Sequence, residues 1–123
     1  MAVRILLVDD DENMLSTTKD ILEDAGYVVA AAASVAAAHD CLAAGNFDLM
    51  IADLNLPDGS GLDLASDARG RFLRMRILLM TGQADGAEPA GLHARQDGIV
   101  DDYLVKPVSP PQLLYIIPRV VNR

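Results

Sequence analysis

The chain has 123 residues, with 18 Asp and Glu against 10 Lys and Arg for a formal charge of −8, 51% hydrophobic residues and a single cysteine. So high an apolar share in one domain's length excludes a disordered tail, and a lone cysteine with no four-ligand Cys/His spacing excludes a disulfide scaffold or structural zinc site and points to a reducing, cytoplasmic compartment. Apolar runs such as Ile77 to Met80 are too short to span a bilayer, Asp9 to Glu12 break any signal-peptide pattern, and the acid excess is a poor counterion for nucleic acid, so neither membrane nor direct nucleic-acid contact is expected.

Short apolar runs alternate with amphipathic or alanine-rich segments along the chain, the pattern of repeated β-α units. Val3 to Val8, apolar except at Arg4, reads as a first strand covered on both faces. Glu12 to Ala25 places Met14/Leu15, Thr18, Ile21/Leu22 and Ala25 at helical spacing, with Gly26 as a left-handed cap. Tyr27 to Ala31 is the second strand. Ser34 caps a second helix that runs through Ala44 and is closed by Gly45. Phe47 to Ala52 is a buried third strand ending at Asp53, and Leu54 to Gly61 is a loop by composition. A third helix over Gly61 to Gly70 precedes a fourth strand over Arg76 to Met80. Thr81 to Gly98, with its repeated glycines and Pro89, reads as a long loop holding a short fourth helix. Val100 to Val105 is the fifth strand. Ser109 caps a last helix with Pro110 at its first position and an apolar stripe of Leu113, Ile116/Ile117 and Val120/Val121, which should kink or fray at Pro118.

Five such pairs imply one parallel sheet with helices on both faces, and in such sheets a site forms outside the carboxyl ends of the strands. The residues falling there are Asp9, Asp10 and Asp11, then Asp53, Thr81 and Lys106. Carboxylates gathered in a small space repel one another unless one is protonated or a hard cation takes their oxygens, and Mg2+ fits best because it keeps waters that a phosphoryl oxygen can replace. A lysine and a threonine hydroxyl beside that cluster offer the charge and hydrogen bond that a phosphoryl group needs. The set reads as phosphoryl transfer onto a carboxylate.

The stretches Val8-Asp9-Asp10-Asp11, Asp53-Leu54-Asn55-Leu56-Pro57-Asp58-Gly59-Ser60-Gly61, Met80-Thr81-Gly82 and Asp102-Tyr103-Leu104-Val105-Lys106-Pro107 together resemble the receiver domains of two-component response regulators over essentially the whole chain, read as a single domain. The resemblance implies a doubly wound (βα)5, flavodoxin-like α/β fold with a five-stranded parallel sheet in the order 2-1-3-4-5. It implies Asp53 as phosphoacceptor from a sensor histidine kinase or phosphotransfer protein, Asp10 as a direct Mg2+ ligand, Asp9 as its water-mediated companion and the Asn55 backbone carbonyl as a further ligand; Mn2+ is a possible substitute. Thr81 and Lys106 would sense the phosphoryl group, Tyr103 would be the aromatic partner of the Thr81 switch, and the Lys106-Pro107 bond would be cis. A changed face of the fourth helix, fifth strand and fifth helix would contact an output partner or effector domain, with homodimerisation possible on phosphorylation. Asn55 and Gln83 sit where side chains orient attacking water and would tune dephosphorylation. Such a chain promotes its own phosphorylation and dephosphorylation and is not otherwise an enzyme; a receiver-like module that works by binding alone is the alternative.

Competing readings fall short. A calcium loop from Asp53 fails because Pro57 sits at a ligand position, Gly59 is one place late and Leu64 replaces the final glutamate. A dehalogenase-type phosphatase would want an aspartate where Asn55 stands, and a nucleophile on the first strand. Asp11 reads as a helix cap, His39 and His93 as solvated, Cys41 as a packing residue, Tyr103 by itself as packing, and Arg69, Arg71, Arg74 and Arg76 as a solvated basic face.

Overall fold

The computed structural model describes residues 2–82 and 93–122. Five strands form one parallel sheet: β1 (Arg4–Val8), β2 (Val28–Ala32), β3 (Leu49–Asp53), β4 (Arg76–Thr81) and β5 (Asp102–Val105). Numbered this way, with a two-stranded ribbon of Asn55–Leu56 and Gly59–Ser60 left apart, their order is β2-β1-β3-β4-β5. Helices α1 (Glu12–Asp24), α2 (Val35–Ala44), α3 (Gly61–Arg71), a helical turn α4 (93–96) and α5 (Pro110–Val121) cover both faces. The doubly wound, flavodoxin-like fold expected from the sequence is the one observed.

The central strands are buried on both sides, so alternate residues feed two separate cores. Leu6, Val8, Met50, Ala52, Ile77 and Leu79 face the layer of α2 and α3, where Ala38, Leu42, Leu64 and Ala68 pack. Ile5, Leu7, Leu49, Ile51, Leu78 and Met80 face α1 and α5, meeting Leu15, Leu22, Leu113, Ile117 and Val120. Parallel registers Val8↔Ala52 and Asp53↔Met80 bring the ends of β1, β3 and β4 level. That alignment places the site.

Helix ends follow local chemistry. Asp11 is the N-cap of α1, its carboxylate accepting from the Asn13 and Met14 amides, and Gly26 follows with φ 99°. Ser109 and Gln112 form a reciprocal capping box at α5. Gly45 closes α2, but with extended backbone at φ −158° instead of a left-handed one.

Three expectations are corrected. Of the kink or fraying expected at Pro118, fraying is absent: the last helix continues to Val121, its Leu113, Ile117 and Val120 held in the core, and the Asn122 amide donates to Pro118 O at 3.1 Å. The fifth strand begins at Asp102, not Val100, because the Val100 amide is directed back to Ala94 O at the preceding helical turn. Arg69 is not solvated: its guanidinium donates to Ile99 O at 3.3 Å, Met75 O at 2.9 Å and Asp101 Oδ2 at 2.6 Å, tying α3 to the entries of β4 and β5. Arg71 and Arg74 are exposed as expected. His39 lies 3.9 Å from Asp67, and Cys41 packs against the α2 side of the core. Among the described residues no helix is long and apolar enough to cross a membrane.

Candidate phosphoacceptor site

Each apolar strand ends where a polar side chain begins. β1 delivers Asp9 and Asp10 just past Val8, β3 ends on Asp53, β4 ends on Thr81, and Lys106 follows β5. Asp9 and Asp53 are 4% and 5% exposed and Thr81 is fully buried, whereas Asp10 is open to solvent. Two buried carboxylates this close require compensation.

Lys106 provides it. Its Nζ donates to Asp53 Oδ2 at 2.6 Å and lies 3.9 Å from Asp9 Oδ2. Burial pulls the lysine pKa down, but the hydrogen bond and charge of Asp53, with Asp9 and Asp10 behind it, outweigh this and hold the ammonium above its ordinary value. For Asp9, burial raises the carboxyl pKa; the Asp11 amide and Lys106 oppose this, while Asp53 and Asp10 add to it. The Asp11 amide donates to Asp9 Oδ1 at 3.1 Å, and the Asn55 amide reaches Asp53 Oδ1 at 3.4 Å.

Carboxylate oxygens of Asp9, Asp10 and Asp53 lie within 4.8 Å of one another. This donor set is hard and oxygen-only, and its exposed member leaves room for water, so it fits a small hard divalent cation of the Mg2+ kind.

The remaining expected residues take up different positions. Thr81, one residue past the register partner of Asp53, directs its hydroxyl to Leu104 O at 3.4 Å. Tyr103 is half-buried and packs against the α2 and α3 side of the core. Asn55 is exposed on the ribbon beyond Asp53, and the Lys106-Pro107 peptide is cis. Gln83 lies outside the described residues.

Two residues to which sequence reasoning gave no role support the loop that follows Asp53. Asp58 reaches across to the N-terminus of α2, accepting from the Val35 amide at 2.7 Å and the Ala36 amide at 3.0 Å. These two amides hold its carboxyl below the usual carboxylate range. Gly61 passes so close to Asp53 that a Cβ there would lie 1.9 Å from the Asp53 carbonyl oxygen. Its own amide donates to Leu54 O at 2.7 Å. A glycine opening a helix right after a serine cap was the one available sign of that close approach.

Known proteins resemble this chain in sequence and in fold. A family model described as the response regulator receiver domain matches residues 5–118. The alginate biosynthesis transcriptional regulatory protein AlgB of Pseudomonas aeruginosa is 44% identical over 110 residues, covering 89% of this chain and 24% of that protein. The chain thus spans about a quarter of the length of the AlgB relatives it matches. The chemotaxis protein CheY of the same organism is 32% identical, with 98% of each chain covered. Among solved structures, a CheY-like response regulator receiver domain protein from Methanospirillum hungatei superposes with a TM-score of 0.90 at 33% identity, covering 99% of this chain and 95% of that one.

Proposed function

The chain belongs to the response regulator receiver domain family, and from that premise we propose that it accepts a phosphoryl group on Asp53 from a sensor histidine kinase or a phosphotransfer protein. The observation that carries this reading is the 2.6 Å contact between Lys106 Nζ and Asp53 Oδ2 beside two further carboxylates. It describes a buried carboxylate nucleophile hydrogen-bonded to an ammonium that can turn to the incoming oxygens.

In the proposed step an Asp53 carboxylate oxygen attacks the phosphorus of the donor phosphohistidine. The phosphorus–nitrogen bond breaks as the phosphorus–oxygen bond forms, and the electron pair returns to the imidazole. Asp9, Asp10, Asp53 and the Asn55 carbonyl would hold Mg2+, or Mn2+ in its place, which when bound supplies positive charge against the phosphoryl oxygens. Lys106 moves from Asp53 to a phosphoryl oxygen, a short displacement for a flexible ammonium. Thr81 gives up the long 3.4 Å bond to Leu104 O for a phosphoryl acceptor. Its departure opens space beside β5 into which Tyr103 turns, altering the face of α4, β5 and α5 toward an output partner, an effector domain or a second copy of the chain. Asn55 and Gln83 would set the lifetime of the phosphoryl group by screening water.

Incubation with Mg2+ and acetyl phosphate, followed by intact-mass measurement, tests the reading. One phosphoryl adduct is expected on the wild type and none on Asp53→Ala. No adduct on the wild type, or an equal one on the variant, would leave only a module that works by binding.

A further inference from the structure

Between α1 and the turn joining β5 to α5 lies a cavity of about 470 Å3, the size of a small-molecule pocket. Its floor is Leu7 and Met80 of the sheet, and its walls include Leu15, Val108 and Leu113, with Met14 at the rim almost half exposed. Its polar lining is Asp9, Asp11, Thr18 and Lys106. Two of those four, Asp9 and Lys106, are also walls of the phosphoacceptor site. The cavity and the site are therefore contiguous, with the lysine that receives phosphoryl oxygens between them.

A phosphoryl donor has two ends. The phosphoryl end is met by Lys106, and the leaving group must occupy adjoining space. Acetyl leaves most of an apolar chamber of this size to water, whereas an aromatic or branched acyl group removes apolar surface on both partners from water. Resting on the phosphoacceptor reading above, we propose that this cavity is a subsite for the leaving group of small acyl phosphates, selecting aromatic or branched acyl groups over acetyl. In the step, Asp53 Oδ attacks phosphorus and the bond from phosphorus to the acyl oxygen breaks. The electron pair leaves on that oxygen, releasing the free carboxylate without need of a proton.

The test compares phosphorylation rates of the full chain with benzoyl phosphate, acetyl phosphate and phosphoramidate in Mg2+, for wild type and for two variants that fill the cavity from opposite walls, Val108→Phe and Thr18→Leu. The ratio of benzoyl to acetyl phosphate rates is expected to fall roughly tenfold in either variant, the equivalent of about 1.4 kcal/mol, while phosphoramidate, whose leaving group is ammonia, is used at the wild-type rate. Because each variant serves as its own reference through phosphoramidate, a folding defect in one does not mimic the effect. Titration of wild type with benzylphosphonate should also shift the methyl resonances of Met14 and Met80. An unchanged ratio in both variants, or methionine resonances that do not move, overturns the subsite while leaving phosphorylation by acetyl phosphate intact. Failure of all three donors on wild-type Asp53 overturns the phosphoacceptor reading and the subsite together.

Discussion

Replacing Gly61 by alanine tests how tightly Asp53, the proposed phosphoacceptor, is held. The added Cβ would fall 1.9 Å from the Asp53 carbonyl oxygen, 2.8 Å from its carbon and 3.1 Å from the Leu54 Cα, all backbone atoms that no rotamer change can move. Opening the shortest of these to 3.0 Å, below which real Cβ atoms essentially never approach, requires a shift of 1.1 Å. That displacement would strain the 2.7 Å bond from the Gly61 amide to Leu54 O and carry Asp53 off its register beside Met80. Overpacking of this kind costs roughly 1–3 kcal/mol. A misplacement of about 1 Å at a reacting group can cost on the order of 100-fold in rate. The same helix contains its own control, because a Cβ at Gly70 meets nothing within 4 Å. Gly70→Ala should stabilise by about 0.5–1 kcal/mol and accept phosphate at the wild-type rate. Urea unfolding and intact-mass time courses with acetyl phosphate measure both quantities. If Gly61→Ala unfolds within about 0.5 kcal/mol of wild type and is phosphorylated as fast, the close approach is not what holds Asp53 in place.

Loss of the Asp58 bridge in Asp58→Ala should weaken Mg2+ binding by calorimetry, whereas Ser34→Ala, which removes the 3.1 Å cap on the Ala37 amide of the same helix, should lower the melting temperature with unaltered affinity; equal affinities in both variants would refute the role of the bridge. Because the Asp58 pKa is lowered from 3.8, its stabilisation is present above that pH and lost as pH falls through the native value, so the melting-temperature gap between wild type and Asp58→Asn should close in acid. Arg69→Ala removes a charge-assisted bond to Asp101 and two to backbone carbonyls, and should destabilise by about 2 kcal/mol in urea; a change under about 0.5 kcal/mol would return Arg69 to the solvated face. Substituting Asn55 or Gln83 should alter the decay rate of phospho-Asp53 more than its rate of formation, and unchanged decay in both variants would discard that assignment.

Strands β1, β3 and β4 were legible because a strand covered on both faces must be apolar throughout, and a carboxylate or hydroxyl at its end marks where cover stops. The same logic located Asp9, Asp53 and Thr81 before any geometry was known. The start of β5 was not legible, since Val100 is as apolar as a strand residue but is 3% exposed for another reason, packing beside Ala94 with its amide committed there. Pro118 misled in the opposite direction: the cost of one missing helix bond is local, while the burial of Ile117 and Val120 on either side depends on the whole helix. Among four arginines of like composition, nothing in the sequence singled out Arg69, because its partners at Ile99 and Asp101 are some thirty residues distant. Asp58 was hidden likewise: the stretch read by composition as loop forms a short antiparallel ribbon around it, and nothing in that composition pointed to the helix it reaches.

That reach from Asp58 has a use in exchange experiments. The first-turn amides of a helix ordinarily trade their protons readily with solvent, having no partner within the helix. In α2, the Val35 and Ala36 amides are held instead by a carboxylate 23 and 22 residues further along the chain. Their deuterium uptake therefore reports on closure of the loop beyond Asp53 against the start of α2. In a chain without tryptophan, two backbone protons outside the site become an unmodified gauge of whether that site is assembled.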